Sequence, residues 1–199
     1  MEYIIIIISA VFVNNILLAQ FLGICPFLGV SNKISTAVGM SSAVTFVMAV
    51  ATLTTWLMYY YILVPLGMQF MQTVSYILVI AGLVQMVEII LKKVSPALYQ
   101  ALGIFLPLIT VNCCVLGVAI LVVTKEFAFG GPEHYLNLTE SVVYAVASAL
   151  GYAFALVLFA GLREQLELAD VPKAIKGAPI ALITAGILAL AFMGFTGMV

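Results

Sequence analysis

The sequence predicts an all-α integral membrane protein of six transmembrane helices, arranged as two inverted three-helix repeats. Three observations carry that expectation. Of 199 residues, 65% are hydrophobic and only 8% are charged, where a soluble domain needs about 25% charged residues to cover its surface. Six apolar runs, near 4–29, 38–66, 71–91, 97–123, 139–162 and 178–199, are each long enough to cross a hydrocarbon core roughly 30 Å thick. Finally, Gly23-Ile24-Cys25-Pro26-Phe27-Leu28-Gly29-Val30 and Val111-Asn112-Cys113-Cys114-Val115-Leu116-Gly117-Val118 share the pattern Cys-x-x-Leu-Gly-Val. Each stretch closes a long apolar run, as a duplicated unit would arrange it.

The runs are continuously apolar rather than alternating, so helices are expected and not a barrel. Short loops between them hold nearly all the charge. A net charge of −1 leaves nothing to attract nucleic acid. Met1-Glu2-Tyr3 lacks a basic leader, which makes the first run a permanent span rather than a signal peptide. Three cysteines, two of them adjacent, form neither a disulfide framework nor a zinc pattern.

Orientation follows from the basic residues. With six crossings, Lys33, Lys92, Lys93, Arg163, Lys173 and Lys176 fall on one side and only Lys125 on the other. The positive-inside rule then puts both termini outside the cell.

The duplication reaches further. Ala81-Gly82 in segment three is matched by Ala185-Gly186 in segment six, and Val64-Pro65 by Val171-Pro172. One membrane domain, 1–199, would consist of repeat one at about 1–93 and repeat two at about 94–199. Three spans per unit is an odd number, so the second unit is inverted. Inverted repeats place working sites near the midplane where the halves meet. Segments two and five are packing elements: Gly39 and Ala43, and Ala145, Ala149 and Ala153, recur every fourth residue and allow close backbone approach. Trp56, Tyr59, Tyr60 and Tyr61 read as an interfacial aromatic belt.

In straight helices Cys25 and Cys113 would lie toward opposite faces. Both segments, however, contain interrupting residues. Asn14, Asn15, Gly23 and Pro26 fall in the first; Gly103, Pro107, Thr110, Val111 and Asn112 fall in the fourth. Broken helices would bring both cysteines toward the bilayer centre, with Asn14, Asn15, Thr110 and Asn112 supplying partners for freed backbone groups. Taken alone, the two cysteines read either as packing residues or as soft-metal ligands.

Other polar residues read as structural. Glu88 precedes Lys92 by one turn, as an interfacial ion pair would, and Glu140 stands where it can cap the fifth helix. His134 lies in a loop, and Arg163, Glu164, Glu167 and Asp170 form a charged helix end. No phosphate-binding loop, nucleophile-and-base set or flavin-attachment motif is present, so no catalytic residue is expected in this chain by itself.

Several long stretches resemble one family throughout the chain. They are Val13-Asn14-Asn15, the run from Phe21 to Ser31, the run from Leu102 to Cys113, Arg163-Glu164, Ala169-Asp170-Val171-Pro172 and the run from Ala181 to Gly186. This family comprises the NqrD/NqrE and RnfA/RnfE membrane subunits of ion-translocating redox complexes, and the match is closer to its RnfA (RsxA) branch than to NqrE. In the NqrE branch a Glu-Asn pair is expected where this chain has Asn14-Asn15, and Cys-Thr-Phe where it has Cys25-Pro26-Phe27.

The resemblance implies an electron-transfer membrane subunit of an Rnf-type ion-translocating ferredoxin:NAD oxidoreductase in a bacterial or archaeal cytoplasmic (inner) membrane. It implies a [2Fe–2S] cluster inside the bilayer, held by Cys25 and Cys113 together with two cysteines of a homologous, oppositely oriented RnfE-like subunit. Cys114 stands where relatives often carry Ala. Flavins would sit on other members of the complex, which include RnfB, RnfC, RnfD and RnfG. Cluster reduction would add negative charge in low dielectric and so couple electron flow to Na⁺ or H⁺ movement. The alternatives are an NqrE-type subunit of a Na⁺-translocating quinone reductase, a small ion or solute carrier with packing cysteines, and a purely structural scaffold.

Overall fold

The computed structural model describes residues 2–31, 33–94, 106–124, 136–169 and 176–194, together with Gln100 and Pro172, and every regular element among them is helical. Gly103, Lys125, His134, Asp170, Val171 and Lys173, which the sequence singled out, lie outside these residues.

The first apolar run is interrupted, as its Asn and Gly residues predict. Helix α1 (Glu2–Ile8) widens into a π-helical turn at Ser9–Val13, ends at Asn14 and restarts as α2 (Ile24–Val30). Helix α3 (Ile34–Met58) continues through a second π-helical turn, Tyr59–Leu63, and a last turn, Val64–Leu66. It stops at Gly67, whose φ of 67° suits a residue without Cβ. A 3₁₀ turn at Gln69–Met71 leads into α4 (Gln72–Val94). The fourth run is interrupted as well: α5 (Leu106–Thr110) and α6 (Cys113–Thr124) are separated by Val111 and Asn112. Helices α7 (Leu138–Leu168) and α8 (Ala178–Met193) complete the described chain.

Among the described residues, four helical stretches are long and apolar enough to cross a membrane: Ile34–Leu66, Gln69–Ile90, Pro107–Thr124 and Leu138–Leu168. Two shorter apolar helices, Tyr3–Val13 and Ala178–Met193, flank them. The chain is thus an all-helical, multi-pass membrane protein. Large apolar side chains such as Leu78 (75% exposed) and Leu190 (69% exposed) stand outward, where acyl chains rather than water satisfy them.

The prolines act differently from the sequence expectation. Pro26 starts a helix rather than breaking one. It lies in the first turn of α2, where a backbone N–H would have no intrahelical partner, so its missing donor costs nothing. Pro107 likewise lies inside α5, and the interruption falls after it.

Helices α3 and α7 form the most extensive interface. Ala145 and Ala149 are fully buried, which fits small residues at fourth positions drawing two backbones together. Gly151 serves α1 in the same way: a Cβ there would lie 3.1 Å from both Ala10 O and Val11 Cα. Helix α7 begins with the expected cap, the Asn137 N–H donating to Glu140 Oε2 at 3.0 Å. Trp56 stands in the last turn of α3. Its indole N–H donates to Leu136 O at 3.3 Å and its ring lies 4.4 Å from Tyr60, so its polar edge is satisfied within the protein. Tyr61, 75% exposed, remains available for an interfacial role.

Candidate thiol site between two interrupted helices

Breaking a helix inside lipid frees backbone groups that water cannot satisfy, and Asn15 supplies the partners at the first break. Its Oδ1 accepts the N–H groups of Leu17 (3.1 Å) and Leu18 (3.4 Å), while Nδ2 donates to Val11 O (3.0 Å) and Gly151 O (2.9 Å). One buried carboxamide thereby holds the turn that follows the break, closes the end of the π-helical turn and ties both to α7. Asn14 is exposed and donates to Ser9 Oγ at 3.3 Å.

Asn112 does the capping at the second break, where its Oδ1 accepts the Cys114 N–H at 3.0 Å. Cys113 is the first residue of α6 and Cys25 the second of α2. The cysteines of the shared pattern therefore both stand in the opening turn of a helix that restarts after a break.

The two loops meet. The Gly23 N–H donates to Cys113 Sγ at 2.9 Å, and Cys25 lies two residues beyond Gly23, no more than about 8 Å away along the chain. The straight-helix alternative, with the cysteines toward opposite faces, is not what the chain adopts. Gly23 has φ of 89°, and a Cβ there would lie 2.8 Å from Tyr152 Cε2 and 3.2 Å from Cys114 Cβ. Only glycine combines that backbone conformation with that enclosure. One turn into α6, a Cβ on Gly117 would lie 2.6 Å from Leu22 Cδ1. The glycine of the repeated pattern is thus the notch that receives the first loop.

Helix α2 is held at its middle and at its C-terminal end. Phe27 stacks on Phe159 of α7 with centroids 4.1 Å apart and planes 22° from parallel. Arg163 Nη1 donates to Leu28 O at 2.8 Å and to Ser31 Oγ at 3.1 Å. The sequence placed Arg163 in a charged helix end; it is a half-buried clamp on the Leu28 carbonyl and the Ser31 hydroxyl at the C-terminal end of the Cys25 helix, where a cation complements the helix dipole.

The three thiols differ in access. Cys25 is exposed, Cys113 is partly buried and Cys114 is fully buried. Both breaks also leave a large apolar side chain outward, Phe21 (59% exposed, φ 56°) and Val111 (77% exposed). Among the described residues no three His, Cys, Asp or Glu side chains are gathered as a metal site. The Asn112 and Tyr152 side chains stand against each other beside Gly23, yet neither Asn112 Nδ2 nor Tyr152 Oη completes a hydrogen bond, to the other or to any described residue. Sequence reasoning identified Cys25, Cys113 and the asparagines. It missed Tyr152, which no local signal marks, and the contact between Leu22 and Gly117, which the repeated glycine could have indicated.

Fold and site define a class: an all-helical membrane protein with two accessible thiols at facing helix interruptions. The chain belongs to the Rnf-Nqr family of membrane protein subunits, whose model matches residues 3–199. It is 56% identical over 198 residues to the A subunit of the Na⁺-translocating ferredoxin:NAD⁺ oxidoreductase complex of Acetobacterium woodii, covering 100% of this chain and 98% of that one. It is 58% identical over 194 residues to the A subunit of the ion-translocating oxidoreductase complex of Syntrophotalea carbinolica, covering 98% and 96%. Against the corresponding protein of the ion-translocating oxidoreductase complex of Hahella chejuensis it is 52% identical over 198 residues, covering 100% and 98%.

Proposed function

We propose that this chain is an electron-carrying membrane subunit of an Rnf-type ion-translocating ferredoxin:NAD oxidoreductase, and that Cys25 and Cys113 hold one half of a [2Fe–2S] cluster. The single observation carrying this reading is the Gly23 N–H bonded to Cys113 Sγ. It joins the loops of the two cysteines at a surface where Cys25 stays open to a partner.

The residues present fit such a group. A [2Fe–2S] cluster takes four thiolates, and this chain offers two accessible ones with no third ligand gathered among the described residues. The remaining pair would come from a homologous, oppositely oriented RnfE-like subunit. Cys114 is enclosed against Gly23 and is assigned to packing. When bound, the cluster supplies one-electron redox chemistry. The protein's part is to fix the two sulfurs through Asn112, Gly23, Phe27 and Arg163, to donate hydrogen bonds to sulfur, and to exclude water.

The fuller reading sets this chain beside RnfB, RnfC, RnfD and RnfG, with flavins carried on other members of the complex. Electron flow would be coupled to Na⁺ or H⁺ movement across the cytoplasmic (inner) membrane, with both termini outside. The two-repeat organisation, about 1–93 and 94–199, gains support from the matched position of both cysteines in the opening turn after a break.

Coexpression with the homologous partner, followed by absorbance and EPR, tests the reading. The complex should give a reducible iron–sulfur signal that vanishes in Cys25→Ser and in Cys113→Ser and persists in Cys114→Ser. A colourless complex that moves solute without an electron donor would instead mark a carrier, and the proposal would fall.

A further inference from the structure

We infer that Asn112 and Tyr152 are positioning residues whose spare donors, Nδ2 and Oη, hydrogen-bond to the sulfur-bearing group held at Cys113 and make it easier to reduce. This rests on the cluster reading above and goes beyond it by assigning two side chains that are not themselves ligands.

A buried polar atom without a partner is costly, so each one calls for an explanation. Thr52 Oγ1 is buried and unpartnered as well. Asn112 and Tyr152 are distinguished by place. A Cβ on Gly23 would lie 2.8 Å from Tyr152 Cε2 and 3.5 Å from Asn112 Oδ1, and the Gly23 N–H is the group that already donates to Cys113 Sγ. Asn112 is 3% exposed and Tyr152 is fully buried, which leaves bulk water unable to serve them.

The orientation of Asn112 is not arbitrary. The Cys114 N–H requires an acceptor and takes Oδ1, which leaves the NH₂ end as the spare group. Asn15 provides the internal comparison. It caps the other break with the same chemistry, yet all its donor and acceptor capacity is directed to named backbone groups. The carboxamide with a donor left over is the one beside Cys113.

Together with the Gly23 amide, the two groups would form a set of three donors on one side of the sulfur site. Reduction adds one electron, delivered by the upstream carrier, and neither side chain loses its proton or forms a bond. The donors act by offering positive hydrogen to sulfur whose negative charge has grown, which favours the reduced state.

Potentiometric EPR titration of the complex with its homologous partner tests this. Tyr152→Phe removes only the hydroxyl, and Asn112→Ser keeps a side-chain oxygen able to cap α6 while removing the amide donor. Each variant should retain the signal but be harder to reduce, the reduced-to-oxidised ratio at fixed potential falling about tenfold, equivalent to ~59 mV for a one-electron couple. An unchanged midpoint with intact signal in Tyr152→Phe overturns this inference and leaves the cluster reading standing. Loss of the signal in Tyr152→Phe makes the hydroxyl a structural group and overturns it too. A wild-type complex with no signal dependent on Cys25 and Cys113 overturns the cluster reading itself, and this inference with it.

Discussion

The backbone N–H of Gly23 donates to the sulfur of Cys113 across 2.9 Å, joining residues 90 positions apart. That bond makes one site of two helix interruptions. It requires a left-handed glycine at one end and a thiol in the opening turn of a helix at the other.

Gly23→Ala should therefore be severe. The left-handed conformation alone costs a non-glycine residue about 1–2 kcal/mol, and the new Cβ would strike the Tyr152 ring at 2.8 Å. A lowered apparent Tm, together with an iron–sulfur signal several-fold weaker than that of wild type, is the expected result for the purified complex.

Two other glycines separate flexible from rigid neighbours. At Gly151 the obstructing atoms are backbone, Ala10 O and Val11 Cα at 3.1 Å, so Gly151→Ala must shift the π-helical turn at Ser9–Val13 slightly away from α7 and should cost about 1–3 kcal/mol. At Gly117 the obstruction is the end of the Leu22 side chain, which can rotate away. Gly117→Ala should destabilise less than Gly151→Ala in thermal unfolding measured in the same detergent.

Replacing Asn15 with Leu would leave Val11 O and the N–H groups of Leu17 and Leu18 without their partner inside the protein. At about 1–3 kcal/mol for each unsatisfied buried group, the loss should exceed that of any exposed substitution. Asn14→Leu, at the exposed neighbour, is the matched control, and the pair can be compared by thermal unfolding.

Thiol access gives a test that needs no cofactor. In the isolated chain, a membrane-permeant maleimide should modify Cys25 fastest, Cys113 more slowly and Cys114 only on unfolding, following their exposure. Arg163→Met removes the clamp on Leu28 O and Ser31 Oγ. It should speed the labelling of Cys113 by loosening the neighbouring loop, with Arg163→Lys intermediate because the ammonium keeps the charge but is a compact, more strongly hydrated donor.

Much of the site was legible in the chain. The repeated Cys-x-x-Leu-Gly-Val pattern marked Cys25 and Cys113, and the clustering of Asn, Gly and Pro marked both breaks. The prolines were misassigned because composition does not show on which side of a break a proline falls. Arg163 was read as part of a charged helix end because its acceptors, Leu28 O and Ser31 Oγ, lie 135 and 132 residues away in sequence.

By itself the sequence determined a lipid environment, helical spans, where two of them are interrupted, and which residues sit at those interruptions. These follow from composition and local backbone preference, which act over a few neighbouring residues. Tertiary structure alone decided that Asn15 would reach Gly151 O, that Arg163 would hold the Cys25 helix, and that Tyr152 and Asn112 would keep spare donors beside Cys113. The reason is geometric: those partners are distant along the chain, and their meeting depends on how α1, α2 and α6 pack upon α7.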